Sequence, residues 1–294
     1  MARILNRLEP YVALSPVLAL LAIFLYLPLV FDVIYSVHDW SSLSPTWRYV
    51  GLGNFRLLWN DPIFWHGLRG NFLYAAVSLL CQVAGALVLA AILESGVVGR
   101  RLSGFFRVAF FIPSILPITV IGLLWQILYQ PDGGLIDQVL QAVGLGGFAH
   151  AWLGEEATAL PSIVAVSQWQ WTGYLTVLFI VGIRAIPSEI YEAAAIDGAG
   201  ALRSFWHVTV PGVQETTILM ALITIFGAMK VFDIVWVMTA GGPNNASHVM
   251  GSYMYQLAFR DDRVGYAGAV AMAMFVLSAI AGGLQIWHAR RSHS

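Results

Sequence analysis

Charged residues are rare in this sequence, so those that interrupt its apolar runs are the first candidates for chemistry. Of its 294 residues, 59% are hydrophobic and 11% are charged. Its only lysine, Lys230, stands three positions before Asp233 within an apolar run, a spacing that puts both side chains on one face of a helix. Charges at membrane depth are costly and usually face a cavity or each other. The two residues therefore indicate either an ion pair within the helix or a polar patch along a path.

A second polar interruption, YEAAAIDGAGALRSFWHVTVPG (191–212), has the pattern of two short helices joined by a turn. Ser188 is predicted to cap the first helix, which continues through alanines, the best helix formers. Gly198 and Gly200 are predicted to end this helix, because glycine adopts backbone angles that other residues resist. A second helix is predicted over 201–208 and is closed by Pro211. Such a segment can rest on lipid headgroups or offer charge and aromatic rings to a partner.

The elements that carry these residues are apolar runs long enough to cross the membrane, which takes ~20 residues of helix. Six runs meet this length, at 12–37, 71–93, 105–129, 161–184, 214–238 and 265–287. The first follows Arg3 and Arg7 as in a signal peptide, but it is too long for one and is predicted to be a retained span. The predicted fold class is an all-α integral membrane protein with six transmembrane helices. GLIDQVLQAVGL (134–145) has the spacing of a short amphipathic helix between spans.

The placement of arginines predicts the orientation, because cytoplasmic loops carry an excess of Lys and Arg. With both termini in the cytoplasm, the inner arginines are Arg3, Arg7, Arg100, Arg101, Arg107, Arg184, Arg203, Arg290 and Arg291, and the outer ones are Arg48, Arg56, Arg69, Arg260 and Arg263. This orientation puts the segment 191–212 in the cytoplasm between the fourth and fifth spans. We expect a cytoplasmic N-terminal segment (1–11), one six-span domain (12–288) with a cytoplasmic loop (185–212), and a cytoplasmic tail (289–294).

The sequence lacks the residues that several classes of function require. A net charge of −1 offers no basic surface for nucleic acid, and the single Cys81 allows no internal disulfide and no thiol metal site. The absence of H-E-x-x-H and G-x-S-x-G argues against an intramembrane enzyme. An ion-coupled secondary transporter or a channel stays open, with Asp32 and Asp233 as its candidate intramembrane acids.

The residues of the polar loop resemble a known signature. E-A-A-x-I-D-G-A, followed by a proline about a dozen residues later, is similar to the "EAA" motif of permease subunits in binding-protein-dependent ABC importers. The matching residues here are Glu192, Ala193, Ala194, Ile196, Asp197, Gly198, Ala199 and Pro211. The predicted place of the loop, cytoplasmic and between the fourth and fifth of six spans, also agrees with that family.

Further stretches resemble the carbohydrate-uptake branch, of the maltose- and glycerol-phosphate-permease type. V-G-L-x-N-F (50–55) is similar to the first outer loop of those permeases. K-V-F-D (230–233) and T-x-G-G-P (239–243) are similar to the end of the fifth span and the loop after it, and G-Y-A-x-A-V (265–270) to the start of the sixth. Ala240 departs from the third glycine of many relatives, a difference expected to matter little. The resemblance covers nearly the whole chain.

The resemblance implies a non-enzymatic permease subunit that moves a sugar, a di- or oligosaccharide, from an extracytoplasmic binding protein into the cytoplasm; glycerol-phosphate-like substrates are the alternative. The chain has no G-x-x-x-x-G-K-[ST] phosphate loop. The resemblance therefore implies that this chain binds no cofactor and that two cytoplasmic ATPase subunits hold ATP and Mg²⁺. The other implied partners are a second, related permease, the binding protein and membrane lipid.

The resemblance also implies roles for particular residues. Glu192 would anchor the loop in a cleft of the ATPase, and Gly198 would fix the angle between its two helices. The residues implied in coupling are Glu192, Ala193, Ala194, Asp197, Gly198, Arg203 and Pro211. Movement of the ATPases would then rock the spans between inward- and outward-facing states.

Polar and aromatic side chains on the fourth and fifth spans are candidates for the substrate path. Sugars need hydrogen-bond partners for their hydroxyls and flat rings for their C–H faces, which such residues supply. The candidates are Phe226, Lys230, Asp233, Trp236, Gln168 and Trp171. A packed aromatic interface would explain the fourth-span residues equally well. The G-G-P run, Gly241, Gly242 and Pro243, is a turn that by resemblance also contacts the binding protein.

Overall fold

The computed structural model describes residues 13–131 and 133–291, with side chains up to 284. The predicted segment 1–11 and the end of the predicted tail, 292–294, lie outside the described residues. The elements along the chain are α1 (Ala13–Ser36), β1 (His38–Asp39), β2 (Arg48–Tyr49), α2 (Gly53–Trp59), α3 (Pro62–Glu94), α4 (Arg100–Ile115), α5 (Ile118–Leu128), α6 (Leu135–Ala142), α7 (Ala159–Arg184), α8 (Ser188–Ile196), α9 (Ala201–Gly212), α10 (Gln214–Met229), α11 (Asp233–Thr239), α12 (Met250–Phe259) and α13 (Val264–Arg291).

In the part of the chain that the structure describes, all regular elements are helices except one short strand pair. Strands β1 and β2 are antiparallel, with His38 opposite Tyr49 and Asp39 opposite Arg48. The chain divides into two compact units: one holds Met1–Asp61 and Met254–Val276, the other Pro62–Tyr253 and Leu277–Ser294.

The apolar helices account for the predicted spans. Among the described residues, α1, α3 and α13 are each long and apolar enough to cross a membrane. The number rises to six when the bent pairs α4–α5, α7–α8 and α9–α10 each count as one span. Helix α3 begins at Pro62, nine residues before the predicted start. Its first turns carry Gly67 and Gly70, at which an added Cβ would lie 3.2 Å from Val249 C and 3.0 Å from His248 O, so packing extends the helix beyond its apolar run.

The predicted third span is bent by 101° rather than straight. Leu116 has extended backbone angles (φ −72°, ψ 139°) between Pro113 and Pro117. A proline disfavours the helical conformation in the residue before it and has no amide hydrogen to donate, so Pro117 begins a new helix here.

The core of the second unit lies between its long helices. One apolar cluster centres on Ile121, Ile163 and Ile234, and another on Ala86 and Phe179, all fully buried. Close approach of α4 and α7 depends on a glycine, because a Cβ on Gly173 would overlap the Phe110 carbonyl.

Candidate docking loop and membrane cavity

The turn at Gly198 ends α8 with a defined hydrogen-bond pattern. Gly198 has φ +77°, a left-handed conformation that favours glycine. Its N–H donates to the Ala195 carbonyl at 3.1 Å, and the N–H of Ala199 donates to the Ala194 carbonyl at 2.9 Å. This pair of bonds is a Schellman motif. The prediction that Gly198 ends the helix is confirmed.

The start of α8 differs from the prediction. Pro187, with φ −56° and ψ 135°, is the N-cap residue, and no side chain caps the helix. Ser188 is therefore the first helical residue rather than the cap. The fixed φ of Pro187 prepares the chain for a helix without a capping hydroxyl. Glu189 lies in the first turn, where the helix dipole favours a negative charge.

The docking loop, defined as residues 188–212, exposes both charged and apolar side chains. Ile196 and Leu202 are 87% and 73% exposed, and Trp206 is also exposed. The exposed residues among those predicted for coupling are Glu192, Ala193, Asp197, Gly198, Arg203 and Pro211, whereas Ala194 is half-buried. Apolar groups of this size together with charges are typical of a surface that meets a partner.

The two helices of the docking loop are joined to each other. The hydroxyls of Tyr191 on α8 and Thr209 on α9 share a hydrogen bond of 2.9 Å.

Pro211 was predicted to close the second helix, and this is wrong, since α9 continues to Gly212. A wider π-type turn over Phe205–Thr209 precedes the proline, which makes room for its ring within the helix.

An ionic cluster that the sequence reasoning missed lies beside the docking loop. Glu94 Oε1 is 2.5 Å from Arg107 Nη2, and Glu94 Oε2 is 2.9 Å from Arg184 Nε. Glu94 and Arg184 also line a cavity of about 530 Å³ whose wall includes Tyr191 and Thr209. The cluster therefore joins the ends of α3 and α7 to α4 next to the loop. The signal was present as an acid and two arginines at the ends of three apolar runs.

A cavity of about 290 Å³ lies among α3, α7, α10 and α11. Its lining includes Lys230, Asp233 and Trp171 from the predicted path, whereas Phe226, Trp236 and Gln168 are not among the lining residues. The other polar or aromatic lining residues are Tyr74, Ser78, Gln82, Ser167, Tyr174, Thr224 and Phe232. The structure thus brings part of the predicted path together and adds residues of α3 that the sequence did not indicate.

The predicted fifth span is broken at this cavity. Helix α10 ends at Met229, Phe232 has φ −147° and ψ −59°, and α11 begins at Asp233. Lys230 and Asp233 therefore do not belong to one continuous helix face, and that geometric premise is wrong. Among the described residues no ion pair joins the two. Both charges lie at the wall of the cavity instead.

Buried polar residues connect α3 and α7 next to the cavity. Gln82 Nε2 donates to Gln168 Oε1 at 2.9 Å, and Gln168 Nε2 donates to Ser78 Oγ at 3.2 Å. The Tyr74 hydroxyl donates to Ser167 Oγ. The buried hydroxyl of Thr224 has no hydrogen-bond partner in the structure, so the cavity wall retains an unused polar group. The described residues contain no cluster of His, Cys, Asp or Glu that could hold a metal ion.

The G-G-P turn is partly buried rather than fully exposed. Gly241 is left-handed (φ +89°) and packs against the His248 ring, while Gly242–Pro243 is a cis peptide bond. The Ser247 hydroxyl donates to the Gly242 carbonyl at 2.6 Å. Ala240 has φ 49°, a conformation that favours glycine, so this position carries backbone strain that a glycine would avoid.

Comparison with known proteins gives consistent matches. The family model described as "Binding-protein-dependent transport system inner membrane component" matches residues 66–294. The "Probable ABC transporter permease protein YurN" of Bacillus subtilis (strain 168) is 44% identical over 273 residues, which are 93% of each chain. The "Diacetylchitobiose uptake system permease protein NgcF" of Streptomyces coelicolor (strain ATCC BAA-471 / A3(2) / M145) is 33% identical over 91% of this chain and 78% of that protein.

A solved structure shares the fold. It is a chain of "a bacterial ABC transporter involved in the import of the acidic polysaccharide alginate", with a TM-score of 0.85. The two chains are 19% identical, and the match covers 98% of each. The likeness in fold therefore extends over nearly the whole chain.

Proposed function

Because this chain belongs to the binding-protein-dependent transport system inner membrane components, the permeases of ABC importers, we propose that it moves a di- or oligosaccharide into the cytoplasm. It is a multi-pass permease of the bacterial inner membrane and a non-catalytic component of its transport complex, which includes a periplasmic binding protein. Membership of this family sets the ion-coupled secondary transporter aside.

The proposed arrangement has six spans with both termini in the cytoplasm. The permease domain is 12–288, its coupling loop is 185–212, and 1–11 and 289–294 are cytoplasmic ends. Two ATPase subunits supply ATP hydrolysis with their own Mg²⁺, and a second, related permease completes the pathway.

The observation that carries the coupling role is the exposed, rigidly turned docking loop. Its Schellman motif at Gly198 and the Tyr191–Thr209 hydrogen bond hold α8 and α9 at one angle. Its exposed carboxylate at Glu192 and its exposed apolar side chains, Ile196, Leu202 and Trp206, are suited to an ATPase surface. The Glu94 cluster joins α3, α4 and α7 next to the loop, so a movement of the loop is transmitted to these helices together.

We propose that the cavity at the break in the fifth span lies on the sugar path. The support is its mixture of aromatic rings, the charges of Lys230 and Asp233, and the unused hydroxyl of Thr224. Sugar specificity is consistent with the similarity to NgcF, a diacetylchitobiose uptake permease. Phe226, Trp236 and Gln168 do not line the cavity and would affect the path only indirectly, through the residues that do. The turn of Gly241, Gly242 and Pro243 is the proposed contact with the binding protein.

Two substitutions in the docking loop test the coupling role. Glu192→Lys reverses the anchoring charge, and Gly198→Val places a β-branched residue in a left-handed conformation that costs about 1–2 kcal/mol or more. We expect both variants to insert into the membrane and to abolish uptake. Glu155→Lys, an exposed outer-loop change, is the matched control. Normal transport by both loop variants would refute the coupling role.

An uptake screen with the cognate binding protein tests the substrate class. Labelled lactose, maltose, diacetylchitobiose and glycerol 3-phosphate are offered to cells that express the complete transporter. Glycerol 3-phosphate is included as the second candidate because Lys230 lines the cavity and can pair with a phosphate. Asp233→Asn and Trp171→Ala should change the sugar dependence of ATP hydrolysis, and an unchanged dependence would assign these residues to the scaffold.

A further inference from the structure

The fifth span has two carboxyl-terminal helix ends to be satisfied inside the protein, one at the break, where α10 ends, and one where α11 ends. A helix has free carbonyls in its last turn, and away from water these need donors. The carboxyl end of α10 and that of α11 both lie within the second unit. Ala228 and Met229 in the first of these ends, and Met238 in the second, are less than 5% exposed.

An asparagine from α3 satisfies the first end. Asn71 is fully buried, and its Nδ2 donates to the Ala228 carbonyl at 2.7 Å and reaches the Met229 carbonyl at 3.4 Å. Its Oδ1 accepts a hydrogen bond of 2.8 Å from the N–H of Met250, where α12 begins. One amide therefore ties the end of α10 to the start of α12.

A glutamine from α5 satisfies the second end in the same way. Gln126 Nε2 donates to the carbonyls of Val237 at 3.0 Å and Met238 at 2.9 Å. Four residues earlier, Gly122 has no side chain, and a Cβ there would lie 2.6 Å from Val237 Cγ1. The close approach of α5 to α11 therefore depends on this glycine.

The two supports share one pattern, a glycine followed four residues later by an amide. Gly67 precedes Asn71 as Gly122 precedes Gln126, and residues four apart lie on one helix face. At Gly67 an added Cβ would lie 3.2 Å from Val249 C, next to the Met250 amide that Asn71 binds. In each case the glycine allows a second segment to pack closely against the helix, and the side-chain amide forms a hydrogen bond with the backbone of that segment.

The segment between the two supports is the part of the fifth span that lines the cavity. Lys230, Val231 and Phe232 all belong to its wall. The backbone of this segment also passes Gly251, where a Cβ would lie 2.8 Å from the Val231 carbonyl. The break is thus held from several sides and is not a local irregularity of the helix.

We propose that Asn71 and Gln126 are positioning residues that fix the break in the fifth span, and thereby where residues 230–232 stand in the cavity. The consequence for transport rests on the proposed sugar path. The clamp itself is a property of this chain and can be tested without knowing the sugar.

The test measures how fast a thiol at the break reacts in the intact transporter. The reference protein carries Val231→Cys together with Cys81→Ser, and the probe is the cationic reagent methanethiosulfonate ethyltrimethylammonium. Asn71→Leu or Gln126→Leu leaves two backbone carbonyls without their donor, at least one of them in a buried residue, which shifts the balance towards a rearranged, hydrated segment by roughly five- to a hundredfold. We expect the modification rate to rise accordingly. Gln138→Leu, which removes an exposed amide on α6, is the matched control and should leave the rate unchanged.

A second variant separates hydrogen bonding from packing. Asn71→Asp keeps the shape of the side chain but can donate only when its carboxyl is protonated, a form that burial favours. Its rate, divided by the reference rate at each pH, should approach one at low pH and increase as pH rises. The nearby groups His248, Tyr74, Lys230 and Asp233 are present in both proteins, and a parallel measurement with uncharged methyl methanethiosulfonate separates opening of the segment from attraction of the cationic reagent to the new carboxylate.

The outcomes distinguish the clamp from the proposed function. Rates in both leucine variants that stay at the reference value or fall, or a ratio for Asn71→Asp that does not change with pH, would overturn the clamp. Failure of the wild-type chain to purify with an ATPase subunit would instead overturn the proposed function; the same thiol rates, measured on the full-length chain in membranes, would then still test the clamp.

Discussion

The Glu94 cluster allows a quantitative prediction, because its two arms differ in burial. The side chains of Glu94 and Arg107 are 16% and 27% exposed, whereas that of Arg184 is 58% exposed. Removing one partner of a buried ion pair costs ~3–5 kcal/mol because the other charge is left unpaired. An exposed pair contributes only ~0.2–1 kcal/mol. Because the Glu94–Arg107 pair is partly buried, we expect Glu94→Ala to destabilise the chain by an amount between these limits, about 1–3 kcal/mol, and Arg184→Ala by less than about 1 kcal/mol.

The assay is the free energy of unfolding in mixed micelles, measured by titration with sodium dodecyl sulfate. Arg107→Ala alone should be costly, because the mostly buried carboxylate of Glu94 keeps only its exposed partner. The double variant Glu94→Ala, Arg107→Ala should cost less than the sum of the two single changes, since no buried charge is left alone. Equal costs for Arg107→Ala and Arg184→Ala, or strict additivity in the double variant, would refute this reasoning.

Three further predictions concern packing, pH and the docking loop. Gly173→Ala should cost ~1–3 kcal/mol or more because its Cβ overlaps a carbonyl of α4, whereas Gly227→Ala, with open space around it, should stabilise the helix by up to ~1 kcal/mol; equal effects in the same titration would contradict this. Hydrogen bonds from Ser41 and Ser42 lower the pKa of Asp262 from 3.8 to about 2, so its contribution to stability is present above pH 3.8 and is lost as pH falls through 2. Carboxyl NMR that finds the ordinary pKa would exclude this. Tyr191→Phe removes a bond of ~0.5–1.5 kcal/mol, and amides of α8 should then exchange hydrogen faster; unchanged exchange would argue against the bond.

Features set by local sequence were predictable from the chain alone. The apolar runs located the membrane helices, and Gly198 located the end of α8, because both depend on neighbouring residues. The bend before Pro117 has an equally local cause, and the proline itself was its signal.

Features set by distant residues were not predictable in this way. Nothing in residues 214–238 marks the break at Lys230, since the side chains that bind the backbone on either side of it, Asn71 and Gln126, are more than 100 residues away in the chain. The partners of Glu94 are set in the same way, because the sequence shows an acid and two arginines at the ends of apolar runs but not that the three meet. The geometry expected of the predicted path was therefore wrong, although Lys230 and Asp233 do line the cavity.

The most direct test of the account is whether the docking loop contacts an ATPase subunit. A photo-crosslinking amino acid placed at Leu202, which is 73% exposed on α9, is compared with one at Leu43, which is 87% exposed before β2. Irradiation of native membranes should link the Leu202 variant to an ATPase subunit and leave the Leu43 variant without that adduct. An intact, transporting complex in which Leu202 yields no ATPase adduct, or in which both positions yield it equally, would contradict the account.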